Sequence, residues 1–124
     1  MSTDPRHLAG QRAEDAAAAF LQAQGLVLLQ RNYRCRMGEL DLIAQQAPDV
    51  LVIAEVRLRS RQDYGGGAAS VDARKRLRIV RSSRHLLMKQ PQLARLRVRF
   101  DVLDLHPDGD GHHIDWLRGA FDAA

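Results

Sequence analysis

Along the chain the apolar positions change their spacing several times, and each change marks an element. From Pro5 to about Gln24 they recur at helical intervals, with Leu8, Ala9, Ala13, Ala16, Ala17, Phe20 and Leu21 forming one stripe. Asp4 and Pro5 supply an N-cap and a first-turn proline, and Gly25 supplies a C-terminal stop. The spacing then becomes that of strands, predicted at Leu26–Arg34, Gly38–Gln45 and Val50–Arg59, with Ala47-Pro48-Asp49 as the turn between the last two. Near that turn both strands are apolar on both faces, the pattern of central strands covered on two sides. Ser60–Ala69, which contains Gly65-Gly66-Gly67, reads as a mobile loop. Ser70 is the expected cap of a second helix reaching Lys89, with Asp72 in its first turn and Ala73, Leu77, Val80 and Leu87 facing inward. Gln90-Pro91-Gln92 ends it. Leu96–Leu105 alternates as a strand, and His113–Leu117 as a short last one after a turn at Pro107–Gly111. The expected fold is therefore α/β, a mixed central β-sheet flanked by helices in the order α-β-β-β-α-β(-β). It forms one domain over residues 1–124, with 1–6 and 119–124 as flexible ends.

Composition narrows the class. A chain of 124 residues, 45% hydrophobic and 27% charged, matches one compact soluble domain. The longest apolar stretch, Val50–Val56, is interrupted by Glu55 and is too short for a bilayer. The N-terminus has no basic segment followed by an apolar one, so a secretory signal is not expected and the cytoplasm is. A lone cysteine, Cys35, forms neither an intrachain disulfide nor a cysteine-based zinc site.

The net charge of +4 hides an asymmetry. Arg57 to Arg99 holds thirteen basic residues against Asp63 and Asp72, a local charge of +11, while the remainder carries −7. Seventeen of the nineteen basic residues are arginine, whose planar fork grips phosphate at two points. On the second helix Arg74, Arg78, Arg81 and His85 share a face, with Lys75 and Arg76 beside them. Like charges at these spacings weaken an isolated helix, and phosphate would relieve that cost. Arg95, Arg97 and Arg99 project from one face of the next strand and extend the basic surface. Such a field is the footprint of a polyanion binder.

The candidate chemistry concentrates around Pro48. A hairpin symmetric about that residue places Asp41 opposite Glu55 and Glu39 opposite Arg57, all four on one face. Like charges held across a strand pair destabilise it, so Asp41 and Glu55 need a counter-charge. A divalent cation would supply one, and magnesium suits carboxylate oxygens while leaving its other positions to water and phosphate. A neighbouring Arg57 or Arg59 would supply one too, and a one-residue bulge would part the two acids. On the first helix Glu14 falls at the edge of the buried stripe, where it can face the sheet or simply cover the core with its methylenes. Asp15 points to solvent.

Read together, Gly10-x-x-Ala13-Glu14, Arg31-Asn32-Tyr33-Arg34, Gly38-Glu39-Leu40-Asp41-Leu42-Ile43, Glu55-Val56-Arg57-Leu58-Arg59 and Arg99-Phe100-Asp101-Val102 follow one another over nearly the whole chain. In that order the chain resembles the YraN-like family (UPF0102), small bacterial proteins with a restriction-endonuclease-like fold related to archaeal Holliday-junction resolvases. The resemblance implies a restriction-endonuclease-like core and the nuclease motif Asp…Glu-x-Lys. Asp41 and Glu55 match its acids, Glu14 matches the helical acid of the resolvases, and Arg57 stands at the motif's lysine. Arginine stabilises charge on phosphate but is a poor general base. What the resemblance implies is a Mg²⁺- or Mn²⁺-dependent endonuclease acting on DNA, branched structures included. Glu14, Asp41, Glu55 and Arg57 would be catalytic, and Asp41, Glu55 and Glu14 would hold the metal. The nucleic-acid contacts expected are Arg59, Arg61, Arg74, Lys75, Arg78 and Arg81. DNA is the expected partner rather than RNA, and a homodimer would match the two symmetric cuts of a junction.

Two further readings stay open. Arg57 favours a nucleic-acid-binding module of the same fold with little or no catalysis. The charge asymmetry alone favours self-association through complementary faces. The other notable residues read structurally: Asp101 pairs with Arg99 or a helix arginine, His112 and His113 sit exposed in a loop, and Trp116 and Phe121 pack the C-terminal segment. Arg31, Asn32 and Tyr33 either touch backbone phosphate or finish a strand, and Cys35 is inert.

Overall fold

The computed structural model describes residues 4–59 and 71–123. Helix α1 (Pro5–Ala23) starts where the Asp4 carboxylate accepts the Arg6 N–H at 2.9 Å. It stops at Gly25, whose φ of 91° suits glycine, with the Leu26 N–H reaching back to the Leu21 carbonyl at 3.0 Å. Strands β1 (Val27–Cys35), β2 (Gly38–Gln46) and β3 (Val50–Leu58) follow, then helix α2 (Ala73–Lys89) and a short 3-10 turn at Pro91–Leu93. Strands β4 (Arg97–Asp108) and β5 (Gly111–Phe121) complete the order α-β-β-β-α-β-β.

The strands form one five-stranded mixed sheet in the order β1-β2-β3-β4-β5. Neighbours are antiparallel except β3 and β4, which run parallel because the chain crosses over through α2 between them. As the patterning predicts, β2 and β3 are buried on both faces. Leu40, Ile43, Leu51, Ile53 and Phe100 pack with Ile79 and Val80 of α2, and Leu42, Ala44, Val52, Ala54 and Leu103 pack under α1. The buried face of α1 is Ala13, Ala17, Ala18 and Leu21, mostly small side chains that let the helix lie close to the sheet. Each fully buried leucine or isoleucine contributes about 1.5–3 kcal/mol. Leu8 is exposed, so the expected stripe is shorter at its start.

Helix α2 departs further from expectation. It buries Ile79, Val80, Ser82, Ser83 and Leu86, while Ala73 and Leu77 are exposed and Leu87 is half-buried. Close approach explains the change: a Cβ on Gly38 of β2 would lie 3.3 Å from the Ser82 Oγ, so a small side chain fits there and a leucine does not. Its N-cap is Asp72, which accepts the Lys75 N–H at 2.8 Å. Ser70, Arg61 and the Ser60–Ala69 loop lie outside the described residues.

The C-terminal hairpin is longer than its alternation suggests, so His112 and His113 belong to β5 rather than to a loop. Trp116 meets Phe20 edge to face at 5.8 Å, and Phe121 stacks on Phe100 at 5.1 Å. Pro5 and Arg6 are already helical and β5 continues to Phe121, so residues placed among the flexible ends belong to regular elements. Among the described residues no helix is long and apolar enough to cross a membrane.

Candidate functional site

The β2–β3 hairpin is symmetric about Pro48: Gln46 pairs with Val50, Ile43 with Ile53 and Leu42 with Ala54. Pairing ends there, one residue before Asp41 and Glu55. The Asp41 Oδ2 instead accepts the Val56 N–H at 2.9 Å, so a side chain replaces the ladder where the strands part. Leu40 and Leu42 are two residues apart, yet they belong to opposite cores, so side-chain alternation breaks at Asp41. The same break occurs in β1. Arg31 reaches α1 and Tyr33 reaches His85 of α2, and between them Asn32 takes a φ of 54°. Arg31 pairs with Leu42 and Tyr33 with Leu40, which sets Asn32 beside Asp41. The kink at Asn32 and the break at Asp41 therefore coincide, and Asp41 borders clefts on both sides of the sheet. Asparagine tolerates the left-handed conformation better than most residues do.

Glu55 is 6% exposed and Asp41 is half-buried. Burial pushes the Asp41 carboxyl up to about 7, helped by the Glu55 charge and a hydrogen bond with Glu55, while the Val56 N–H and Lys75 pull it the other way. The acids thus meet as expected, but just beyond the end of the paired register rather than as an opposed pair within it. Their counter-charge comes from Lys75, whose Nζ lies 2.6 Å from Glu55 Oε1. Asp72 caps α2 at the Lys75 N–H and so fixes this residue in the first turn. Gly38, Glu39, Asp41, Glu55, Lys75 and Arg78 line a cleft of about 260 Å³. On the α1 side Asp41 borders a second cleft of about 320 Å³ with His7, Gln11, Glu14 and Val56.

The other expected site residues separate into groups. Glu14 shares the α1-side cleft with Asp41, but its Oε1 accepts from Arg31 Nε at 3.0 Å and Asn32 Nδ2 at 2.9 Å. Arg31 also meets Asp15 at 2.6 Å, so Asp15 is paired as well as solvated and Arg31 is committed to α1. Arg57 lies on β3 in register with Asp104 and, among the described residues, does not line the Asp41–Glu55 cleft. Arg59, expected on the phosphate-contacting surface, is 7% exposed, with its Nε 4.0 Å from Asp104 Oδ1. Arg74, Arg78 and Arg81 are exposed along α2, and Arg78 reaches the cleft mouth.

On β4 the basic surface continues only at Arg97, which stays exposed while paired, and Arg99 is drawn inward. Arg97 meets Asp49 at 3.3 Å, and Arg99 binds Asp101 through two hydrogen bonds of 2.9 Å. Asp101 also accepts from Trp116 Nε1 at 2.8 Å and the Gly119 N–H at 2.9 Å, which makes it a structural anchor. Lys75 as the partner of Glu55 is what sequence reading missed. Asp72 three residues before it is a capping signal, but nothing local in sequence brings that turn against β3.

A family model described as "Uncharacterised protein family UPF0102" matches residues 13–105. The UPF0102 protein of Cupriavidus metallidurans is 47% identical over 113 residues, covering 91% of this chain and 80% of the relative. That of Nitrosomonas europaea is 45% identical over 113 residues, covering 91% and 92%. That of Halorhodospira halophila is 48% identical over 118 residues, covering 95% and 89%. Among solved structures, Pyrococcus furiosus SfsA in complex with Ca²⁺ aligns at 14% identity and a TM-score of 0.33, over 91% of this chain and 63% of that one.

Proposed function

The chain belongs to the UPF0102 family, and we propose that it acts as a metal-dependent nuclease domain on DNA, with Asp41, Glu55 and Lys75 as its reactive set. The observation that carries this reading is the convergence of two carboxyl groups and one ammonium in a cleft whose mouth is lined by Arg78. The mixed sheet with a helical crossover between β3 and β4 is in keeping with the restriction-endonuclease-like core that the resemblance implies.

The donor set fits a hard cation. Asp41 and Glu55 offer only oxygen, and they repel one another until a proton or a cation lies between them. Bound there, Mg²⁺ or Mn²⁺ would supply a water of lowered pKa and a Lewis-acid contact to phosphate. The chain's own residues do the rest. Val56 holds the Asp41 carboxylate at the point where the strands part. Lys75 presents a compact charge that can stabilise a phosphate oxygen, and unlike arginine it can give up a proton. Lys75 therefore fills the role left open by Arg57, from a different element. Arg78, with Arg74 and Arg81 on the same helix, provides backbone grip without reading bases.

The test is cleavage of a labelled four-way junction and a linear duplex by the full chain with Mg²⁺ or Mn²⁺. Cutting is expected to fall at least about 100-fold in Asp41→Asn, Glu55→Gln and Lys75→Met, in line with losing one preorganised charge from a site. Arg57→Lys is expected to change the rate far less. Binding without cutting in every protein, including Arg57→Lys, would leave a DNA-binding module in place of the nuclease.

A further inference from the structure

The far end of the β4–β5 hairpin carries a block of side chains that the proposed nuclease does not use. Asp104 stands directly across from Asp115, and His106 directly across from His113. All four lie on one sheet face. Two acids opposed in this way cost stability unless a positive charge lies between them. Asp104 is only 3% exposed; its Oδ1, 4.0 Å from Arg59 Nε, is buried without a hydrogen-bond partner, and its Oδ2 faces His106. A buried carboxylate oxygen without a hydrogen bond is costly even beside a positive charge.

His106 does not resolve this by hydrogen bonding. Its Nε2 lies 3.6 Å from Asp104 Oδ2 and 3.8 Å from Asp115 Oδ2, beyond hydrogen-bond reach of both. One donor atom from each of Asp104, His106 and Asp115 lies within 4.8 Å of the others. Ligands on a tetrahedral zinc ion at about 2.1 Å are separated by roughly 3.4 Å, close to the 3.6 Å and 3.8 Å that part His106 from the two acids. His113 Nε2 is 3.1 Å from Asp115 Oδ1 and holds that carboxylate from the side, as supporting residues of metal ligands commonly do. The block also has an entry path, since Asp115 and His113 are exposed while Asp104 closes the bottom.

We propose that Asp104, His106 and Asp115 form a second divalent-cation site, separate from the Asp41–Glu55 pair and matched to zinc. The mixed imidazole and carboxylate donors favour a late first-row ion over magnesium, which prefers oxygen alone. An ion there would tie β5 to β4 and neutralise the opposed acids. The neighbouring guanidinium groups, Arg57 in register with Asp104 and Arg59 at 4.0 Å from it, are the alternative neutralisers. Zinc uptake decides between the two arrangements.

The experiment uses the full chain, stripped of metal and carrying Glu55→Gln, so that the acidic pair cannot contribute. Zn²⁺ is titrated in competition with a chromophoric chelator. One equivalent is expected to bind and to shift the His106 and His113 ring resonances. Adding His106→Gln or Asp115→Asn should weaken binding beyond the roughly 10–100-fold that a supporting residue is worth. Both side chains are at least partly exposed, and circular dichroism without zinc verifies that each variant stays folded. Absence of binding in the Glu55→Gln protein, or binding that survives both further substitutions, would overturn the proposal and leave an ion-pair network. Neither result bears on DNA cleavage.

Discussion

Opposing influences meet on the Asp41 carboxyl group: burial and Glu55 raise it, while the Val56 N–H and Lys75 lower it. Its carboxyl is raised from 3.8 to about 7, chiefly by burial and then by Glu55. Between those values the folded state holds a proton that the unfolded chain has released. Stability from this group is therefore complete below about pH 4 and is lost as pH rises through about 7. Asp41→Asn removes that dependence while its amide oxygen can still accept the Val56 N–H. Without divalent cations, the variant should be more stable than the parent at pH 8 by on the order of 2 kcal/mol, with little difference at pH 4. Urea denaturation midpoints at pH 4, 6 and 8 measure this directly. Parallel curves for the two proteins would mean that Asp41 ionises as an ordinary surface aspartate does.

The strands show where an element's behaviour departs from its pattern. Asn32 sits in the middle of β1 with a φ of 54°, and its Nδ2 holds Glu14 at 2.9 Å. Asn32→Val should cost about 1–2 kcal/mol from the backbone alone, since a branched side chain resists that conformation. The denaturation midpoint should fall accordingly, and fall less in Asn32→Gly. Much of this level was legible beforehand. Among the described residues the period of apolar residues located both α-helices and the five strands, and symmetry about Pro48 set the register as far as Leu42 and Ala54, the neighbours of Asp41 and Glu55. Short-range pattern could not reveal the paired kinks at Asn32 and Asp41, because alternation assumes an unbroken strand. Nor could it orient α2, where closeness to Gly38 selected Ser82 over the more apolar Leu77. Lys75 was legible as a charge and illegible as a partner for the same reason: its position relative to Glu55 is fixed by a crossover, not by spacing.

At the scale of the molecule, charge is distributed less simply than a count suggests. Arg31, Arg97 and Arg99 are committed to carboxylates, whereas Arg74, Arg78 and Arg81 remain exposed on α2. On the proposed function the latter three meet phosphate. Changing each to alanine should lower the slope of log affinity against log salt by about 0.9, the value for one phosphate contact on duplex DNA. Arg97→Ala should leave the slope unchanged. Fluorescence anisotropy over a salt series would check both, and equal effects from all four substitutions would point to a diffuse field rather than a docking face.

The contact between Lys75 and Glu55 also has a meaning in time. A chain emerging from the ribosome presents the β2–β3 hairpin, with both acids, before it has released α2. Until the crossover docks, those acids lack the ammonium that completes the set. On the reading proposed above, an unfinished or truncated polypeptide would be harmless to the chromosome around it. Competence would arrive only with the last stages of assembly, so the fold would act as its own safety catch.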